Sequence, residues 1–259
     1  MGGSLQTTIR DLARRRGRER RGLTLAEGVR LVEEALAAGI AVRGAAVSPA
    51  LEATTRGRSL KSELSRRGVP LEQVGEAELD RLADTEHPQG VVAVIEPRRW
   101  RLEDLAPGAG SMLLVLDAVQ DPGNVGAILR TALGLGAAGV VALKGTAELT
   151  NPKAVRGSMG ALFKLPAVSA DTEEFLAWAR DRGVRIWITA AEGEPLGTTA
   201  GRRQLPPVAL VLGNEGAGVG PALEAAAERR VAIPLAAGVE SLNVAVAAGI
   251  FLYEVMRAD

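Results

Sequence analysis

The sequence predicts an α/β protein of two domains, a small N-terminal one and a larger C-terminal one built on a largely parallel sheet. Short apolar runs alternate with amphipathic helical stretches along most of the chain, the pattern of strands and helices packed in layers. The composition breaks where Pro97-Arg98-Arg99-Trp100-Arg101 and Pro107-Gly108-Ala109-Gly110 enclose a short acidic turn, as a linker does. Beyond the break, MLLVLDAV (112–119) leads through a glycine-bearing loop into a helix and on to a strand at Gly139–Leu143. That is a βαβ unit, which places ligands at the carboxyl ends of its strands. The boundaries expected are a basic segment over 1–22, a domain over 23–97, a linker over 98–110 and a second domain over 111–259.

Taken in order, Leu5–Arg21 reads as a basic helix and Leu23–Leu25 as a short strand. VRLVEEALAAG puts Val29, Val32, Ala35 and Leu36 on one helical face and stops at Gly39. Strands follow at Ile40–Val47, Leu71–Val74 and Gly90–Glu96, with helices at Ser59–Arg67 and Glu76–Ala83. Trp100, beside three arginines, reads as a hydrophobic anchor rather than a base-stacking platform. After Met112–Val119 the helix VGAILRTALGLG buries Val125, Ile128, Leu129, Ala132 and Leu133, with Asn124 as its cap and Arg130 pointing away from the core. Taken alone, Arg130 is a solvated surface residue. A helix at Thr172–Arg182, a strand at Val184–Thr189 and the fully apolar strand VALVL (208–212) come next, the last of the parallel-sheet type. That strand ends in Gly213-Asn214-Glu215-Gly216-Ala217-Gly218, whose glycines let backbone N–H groups approach a ligand around one carboxylate. A helical piece at Pro221–Ala227 and a strand at Arg229–Pro234 lead to Glu240-Ser241-Leu242-Asn243 and a buried alanine-rich helix, for which Ser241 is the expected cap.

Composition narrows the chemistry. The chain has 259 residues, 47% hydrophobic and 24% charged, as in an ordinary globular protein. There is no cysteine, so thiolate nucleophiles and thiolate metal sites are excluded. The single histidine, His87, sits in a turn-like Glu86-His87-Pro88-Gln89-Gly90 and reads as structural, and no metal site is expected. The formal net charge is zero, yet Arg10 to Arg21 holds seven arginines. Local patches rather than totals attract phosphate, so Arg10, Arg14, Arg15, Arg16 and Arg18 are candidate nucleic-acid contacts, with Arg156 further on. No segment has the length and apolarity of a membrane span or a signal peptide, which predicts a cytoplasmic protein. The spacing G-x-G-x-x-G is absent, against a dinucleotide-binding oxidoreductase, and so is a P-loop.

Three separated signatures stand in order: DPGNVGAILRTA (121–132), LVLGNEGAGV (210–219) and IPLAAGVESLNVAVAAGIFLYE (233–254). Together they resemble the three motifs of the SpoU (TrmH) branch of the SPOUT methyltransferases, and PKAVRGSMGALF between them is similar to the family as well. The N-terminal part resembles the ribosomal-protein-L30-like RNA-binding domain of its ribosomal-RNA members, through Glu27-Gly28 and His87-Pro88-Gln89-Gly90, although Leu25 departs from an aromatic often found there. The resemblance implies a C-terminal domain with a deep trefoil knot, an exception to the rule against knotted chains. It further implies a homodimer and transfer of methyl from S-adenosylmethionine to a ribose 2′-hydroxyl, with ribosomal RNA favoured over transfer RNA. Carried over, the cofactor would be held by Thr189, Ala190, Leu212, Gly213, Asn214, Gly216, Ile233, Ser241 and Leu242. The family's catalytic positions match Arg130, Asn124, Glu215, Ser241 and Asn243. Arginine is a poor base, so Arg130 is read as a cation that steadies the developing alkoxide. A catalytically silent RNA-binding protein is the competing reading.

Overall fold

The computed structural model describes residues 4–86, 88–195 and 206–256; His87 lies outside them. In chain order the elements are α1 (Leu5–Leu12), α2 (Arg15–Arg21), β1 (Thr24–Glu27), α3 (Val29–Ala37), β2 (Ala41–Val47), α4 (Pro49–Glu52), α5 (Thr55–Arg66), β3 (Leu71–Gln73), α6 (Glu76–Leu82) and β4 (Val91–Glu96). They continue with β5 (Met112–Leu116), α7 (Pro122–Gly134), β6 (Gly139–Leu143), α8 (Pro152–Gly157), β7 (Ala167–Ala170), α9 (Thr172–Asp181), β8 (Arg185–Pro195), β9 (Val208–Leu212), α10 (Pro221–Ala226), β10 (Arg229–Ala232) and α11 (Val244–Met256).

The chain divides into two compact units, 1–98 with 150–164 and 99–149 with 165–259. Segment 150–164, which carries α8, thus packs with the first unit, although in sequence it lies inside the second.

The first unit has a four-stranded sheet in the order β1-β4-β2-β3, antiparallel except for the β2–β3 pair. The face predicted for α3 is the one it buries: Val32 and Ala35 are fully enclosed and Val29 and Leu36 nearly so. Its N-cap is Gly28, which has no side chain to offer, and Gln89 Oε1 accepts from Val29 N at 3.2 Å in its place. Gly90 allows a close approach, because a Cβ there would lie 2.2 Å from Leu51 N. The basic N-terminal stretch is two helices, not one. Arg18 turns inward at the corner between them and donates to Leu12 O at 3.0 Å and Ala13 O at 3.1 Å, closing the C-terminal end of α1.

The second unit has a six-stranded, wholly parallel sheet in the order β10-β8-β9-β5-β6-β7. β5, β8 and β9 supply apolar side chains to one core with Phe175 and Trp178 of α9, and Trp100 packs against it as an anchor. From β5 the chain steps outward through β6 and β7, then crosses to the other side for β8, β9 and β10. The order therefore reverses between β5 and β9. The helix after β5 begins earlier than its apolar pattern suggests, because Pro122 presets the first helical turn and Asp121, not Asn124, is the cap, accepting from Gly123 N. Leu133, assigned above to the buried face, is 38% exposed.

Candidate active site

Three loops meet at the carboxyl ends of β8, β9 and β10 in the second unit. The first belongs to β8, which runs past its predicted end at Thr189 to Pro195. Its pairing with β10 slips there: Arg230 faces Ile188, but the next residue, Val231, faces Glu194. Residues 189–193 are thereby released from that ladder, and Thr189, Ala190 and Ala191 line a cavity. The second loop is 213–220. A Cβ on Gly213 would lie 2.4 Å from Gly218 C, so only glycine lets the loop fold back on itself. The third is 233–243, which brings Ile233, Leu235, Glu240, Ser241 and Leu242 to the same place, with Val244, Ala247 and Phe251 of α11 forming an apolar wall.

The cavity measures about 390 Å³, in the range of small-molecule sites. Among the described residues its lining includes two carboxylates, Glu215 and Glu240, and no lysine or arginine. Such a lining disfavours a phosphate-bearing ligand and suits one that carries positive charge, with apolar contacts for an aromatic base. S-adenosylmethionine, a sulfonium and ammonium cation with an adenine ring, meets these requirements.

Of the expected cofactor positions, Thr189, Ala190, Leu212, Gly213, Asn214, Gly216, Ile233, Ser241 and Leu242 all line this cavity. The side chain of Asn214 has other work. Its Oδ1 accepts from Gly216 N and Ala217 N, and its Nδ2 donates to Ala118 O at 2.8 Å. Ala118 has φ 56, and this bond holds the carbonyl of that left-handed residue. Asp117 accepts from Gly220 N at 2.7 Å, a second tie between the loops after β5 and β9. Asn214 can therefore offer a ligand its backbone but little of its amide.

Ser241 does not cap α11. Asn243 does: its Oδ1 accepts from Ala245 N at 2.9 Å and Val246 N at 3.3 Å. Ser241 lies two residues too early for that geometry and is exposed at the cavity. Asn243 Nδ2 donates to Asn124 Oδ1 at 3.0 Å, and Asn124 Nδ2 donates to Glu215 Oε1 at 3.1 Å. Three of the expected catalytic residues are thus joined in one chain. Arg130 is not among them: it is exposed on α7, lies outside the cavity lining and has no partner among the described residues.

The proposed RNA contacts sort differently. Arg18 is 4% exposed and holds the α1–α2 corner, which removes it from the set. Arg14 and Arg16 are exposed and without partners among the described residues, whereas Arg10 pairs with Glu78 and Arg15 with Glu19. Arg156 is half-buried against Asp84 at 2.9 Å and Glu27 at 3.5 Å. Sequence reasoning missed Glu240, Val244, Ala247 and Phe251 as cavity residues. The apolar side chains resembled ordinary core, and only the nearness of Glu240 to Ser241 could have pointed to it.

With this geometry in view, residues 111–253 match the SpoU rRNA Methylase family and residues 7–93 the MRM3-like substrate binding domain. The chain belongs to the SpoU rRNA methylase family. Among its relatives it is 35% identical over 230 residues to the 23S rRNA (guanosine(2553)-2′-O)-methyltransferase RlmP of Bacillus subtilis (strain 168), covering 88% of this chain and 86% of that protein. It is 32% identical over 244 residues to the 23S rRNA (adenosine(1067)-2′-O)-methyltransferase of Streptomyces azureus, covering 89% and 85%. The crystal structure of an AdoMet-bound rRNA methyltransferase from Sinorhizobium meliloti superposes with a TM-score of 0.85 at 32% identity, covering 98% of this chain and 95% of that one. Membership accounts for the α/β architecture, and among the described residues no helix is long and apolar enough to cross a membrane.

Proposed function

We propose that this SpoU-family chain transfers the methyl group of S-adenosylmethionine to a ribose 2′-hydroxyl of ribosomal RNA. The observation that carries this reading is the cation-friendly cavity at the carboxyl ends of β8, β9 and β10, with the Asn243–Asn124–Glu215 chain at its edge. The cofactor supplies an electrophilic methyl on a positively charged sulfur; the protein supplies position and charge. Backbone groups at Thr189–Ala190, Leu212–Gly213 and Ser241–Leu242 are suited to hold the polar parts of the cofactor, and Ile233 and Phe251 to cover its base. Arg130, permanently charged, steadies the oxygen as it loses its proton and grips a neighbouring phosphate. The first unit recognises the RNA, with Arg14 and Arg16 among its exposed cations. We place the trefoil knot implied by the family motifs in the segment that ends in α11.

We also infer a homodimer. α11 exposes Val246 at 52%, Ile250 at 36% and Tyr253 at 55%, a stripe at i, i+4 and i+7. α11 packs on α7, which adds Leu133. A partner subunit covering this stripe would also reach Arg130, one turn before Leu133 on α7, so Arg130 works at a site shared between subunits. Replacement of Ile250 by glutamate should give monomers in light scattering; an unchanged mass would refute the interface.

The relatives named for 23S rRNA and the substrate-binding domain favour ribosomal RNA and, with it, the cytoplasm. Incubating the protein with tritiated S-adenosylmethionine and separate ribosomal and transfer RNA pools, then mapping the labelled ribose, decides the question. Label confined to transfer RNA would support that substrate instead, and label in neither pool would leave a silent RNA-binding protein.

A further inference from the structure

We propose that Glu215 takes the proton of the ribose 2′-hydroxyl, and that a directed chain of amides starting at the cap of α11 sets its carboxylate in place. The proposal rests on the methyltransferase reading above and names the group that does the proton transfer.

The direction of the chain follows from the helix. Both contacts of Asn243 Oδ1 are backbone N–H groups of the first turn of α11, so only its Nδ2 can face Asn124. Asn124 must then present its oxygen to Asn243, which turns its own NH₂ toward Glu215. A chain whose links all donate the same way ends on an acceptor, and here that acceptor is Oε1 of a carboxylate. Glu215 Oε2 has no partner among the described residues, and the residue lines the cavity. Among the described residues no lysine or arginine pairs with Glu215.

Other candidates fail on placement or chemistry. Glu240 also lines the cavity but makes no hydrogen bond among the described residues that would hold it in one position. Thr189 and Ser241 offer hydroxyls, which are poor proton acceptors. A guanidinium is a poor proton acceptor, and Arg130 lies outside the lining. Among the described lining residues, Glu215 is the carboxylate that a hydrogen bond holds in place.

The step balances without a further reactant. The ribose oxygen bonds to the methyl carbon, the carbon–sulfur bond breaks with its electron pair left on sulfur, and sulfur loses its positive charge. The hydroxyl proton moves to Glu215 Oε2 and passes to water after the products leave. No charge is created in the cavity, since a cation and a carboxylate become a thioether and a carboxylic acid.

The test compares Glu215→Gln, Glu215→Ala and wild type in methyl transfer to ribosomal RNA and in S-adenosylmethionine binding by calorimetry. Glutamine still gives Asn124 an oxygen to donate to, so cofactor affinity should stay within about threefold while kcat falls about 10² to 10³-fold, as for loss of a general base. Added formate should raise turnover of the alanine variant by about tenfold and leave the glutamine variant unchanged, which a merely structural role would not produce. A glutamine variant with more than about a tenth of wild-type kcat, a loss of cofactor binding that parallels kcat, or an alanine variant deaf to formate overturns the assignment. If wild type binds the cofactor yet labels no RNA, the functional reading fails and takes the assignment with it.

Discussion

Replacing Asn243 by alanine and, separately, by aspartate would isolate the two jobs of this residue. Alanine removes the oxygen that accepts from Ala245 N and Val246 N, and also the donor to Asn124. Loss of an N-cap costs about 1 kcal/mol and loss of one exposed side-chain hydrogen bond about 1 kcal/mol more, roughly 2 kcal/mol together. In a protein of this size that lowers Tm by about 4–8 °C. Aspartate keeps the cap, and its charge favours the positive end of α11, so stability should stay within about 0.5 kcal/mol of wild type. It has no proton to give Asn124, however. Asn124 must turn its NH₂ toward residue 243, leaving its oxygen against Glu215 Oε1, and the carboxylate loses its support. We expect kcat to fall at least about tenfold in the aspartate variant despite its normal stability. Urea unfolding followed by circular dichroism and steady-state methyl transfer provide the two readouts. An aspartate variant with wild-type kcat, or an alanine variant with a wild-type urea midpoint, would refute the directed chain.

Further outcomes follow from the same contacts. Arg130→Ala, which removes no observed contact, should leave Tm and S-adenosylmethionine affinity unchanged and lower kcat about 10² to 10³-fold; near-normal turnover in the transfer assay would end the role given to it. Gly213→Ala forces a Cβ to within 2.4 Å of the Gly218 backbone, so stability should drop by about 1–3 kcal/mol and cofactor affinity with it, as calorimetry can record. Arg18→Met leaves Leu12 O and Ala13 O without their donor and should cost about 1–3 kcal/mol in urea unfolding, whereas Arg16→Ala should weaken RNA binding with little effect on stability. Asp11 has its carboxyl held below the ordinary value of 3.8, first by its bond to Arg21 and then by Arg20. A depressed folded value means that its contribution is present above the ordinary range and lost as pH falls through the folded value. Asp11→Asn should accordingly flatten the acid side of the stability profile, and an identical acid limb would contradict this.

The sequence by itself determined the layering and the strands. Period and apolarity act between near neighbours, so Gly139–Leu143 and Val208–Leu212 could be read to the residue. It also brought forward Asn124, Glu215 and Asn243, although only as members of three separate motifs. What tertiary structure decided is everything that depends on which distant groups meet. Asn124 is 91 residues from Glu215 and 119 from Asn243, and no local pattern records that one amide donates to the next. Asp121 and Asn243 are the caps because the positions of orphan N–H groups, not the list of polar residues near a helix start, select the acceptor. Arg18 reads as one more cation in a basic run until two carbonyls at the end of α1 draw it inward. Leu133 follows the apolar period of α7 yet lies exposed, because period fixes a face and only packing fixes what covers it.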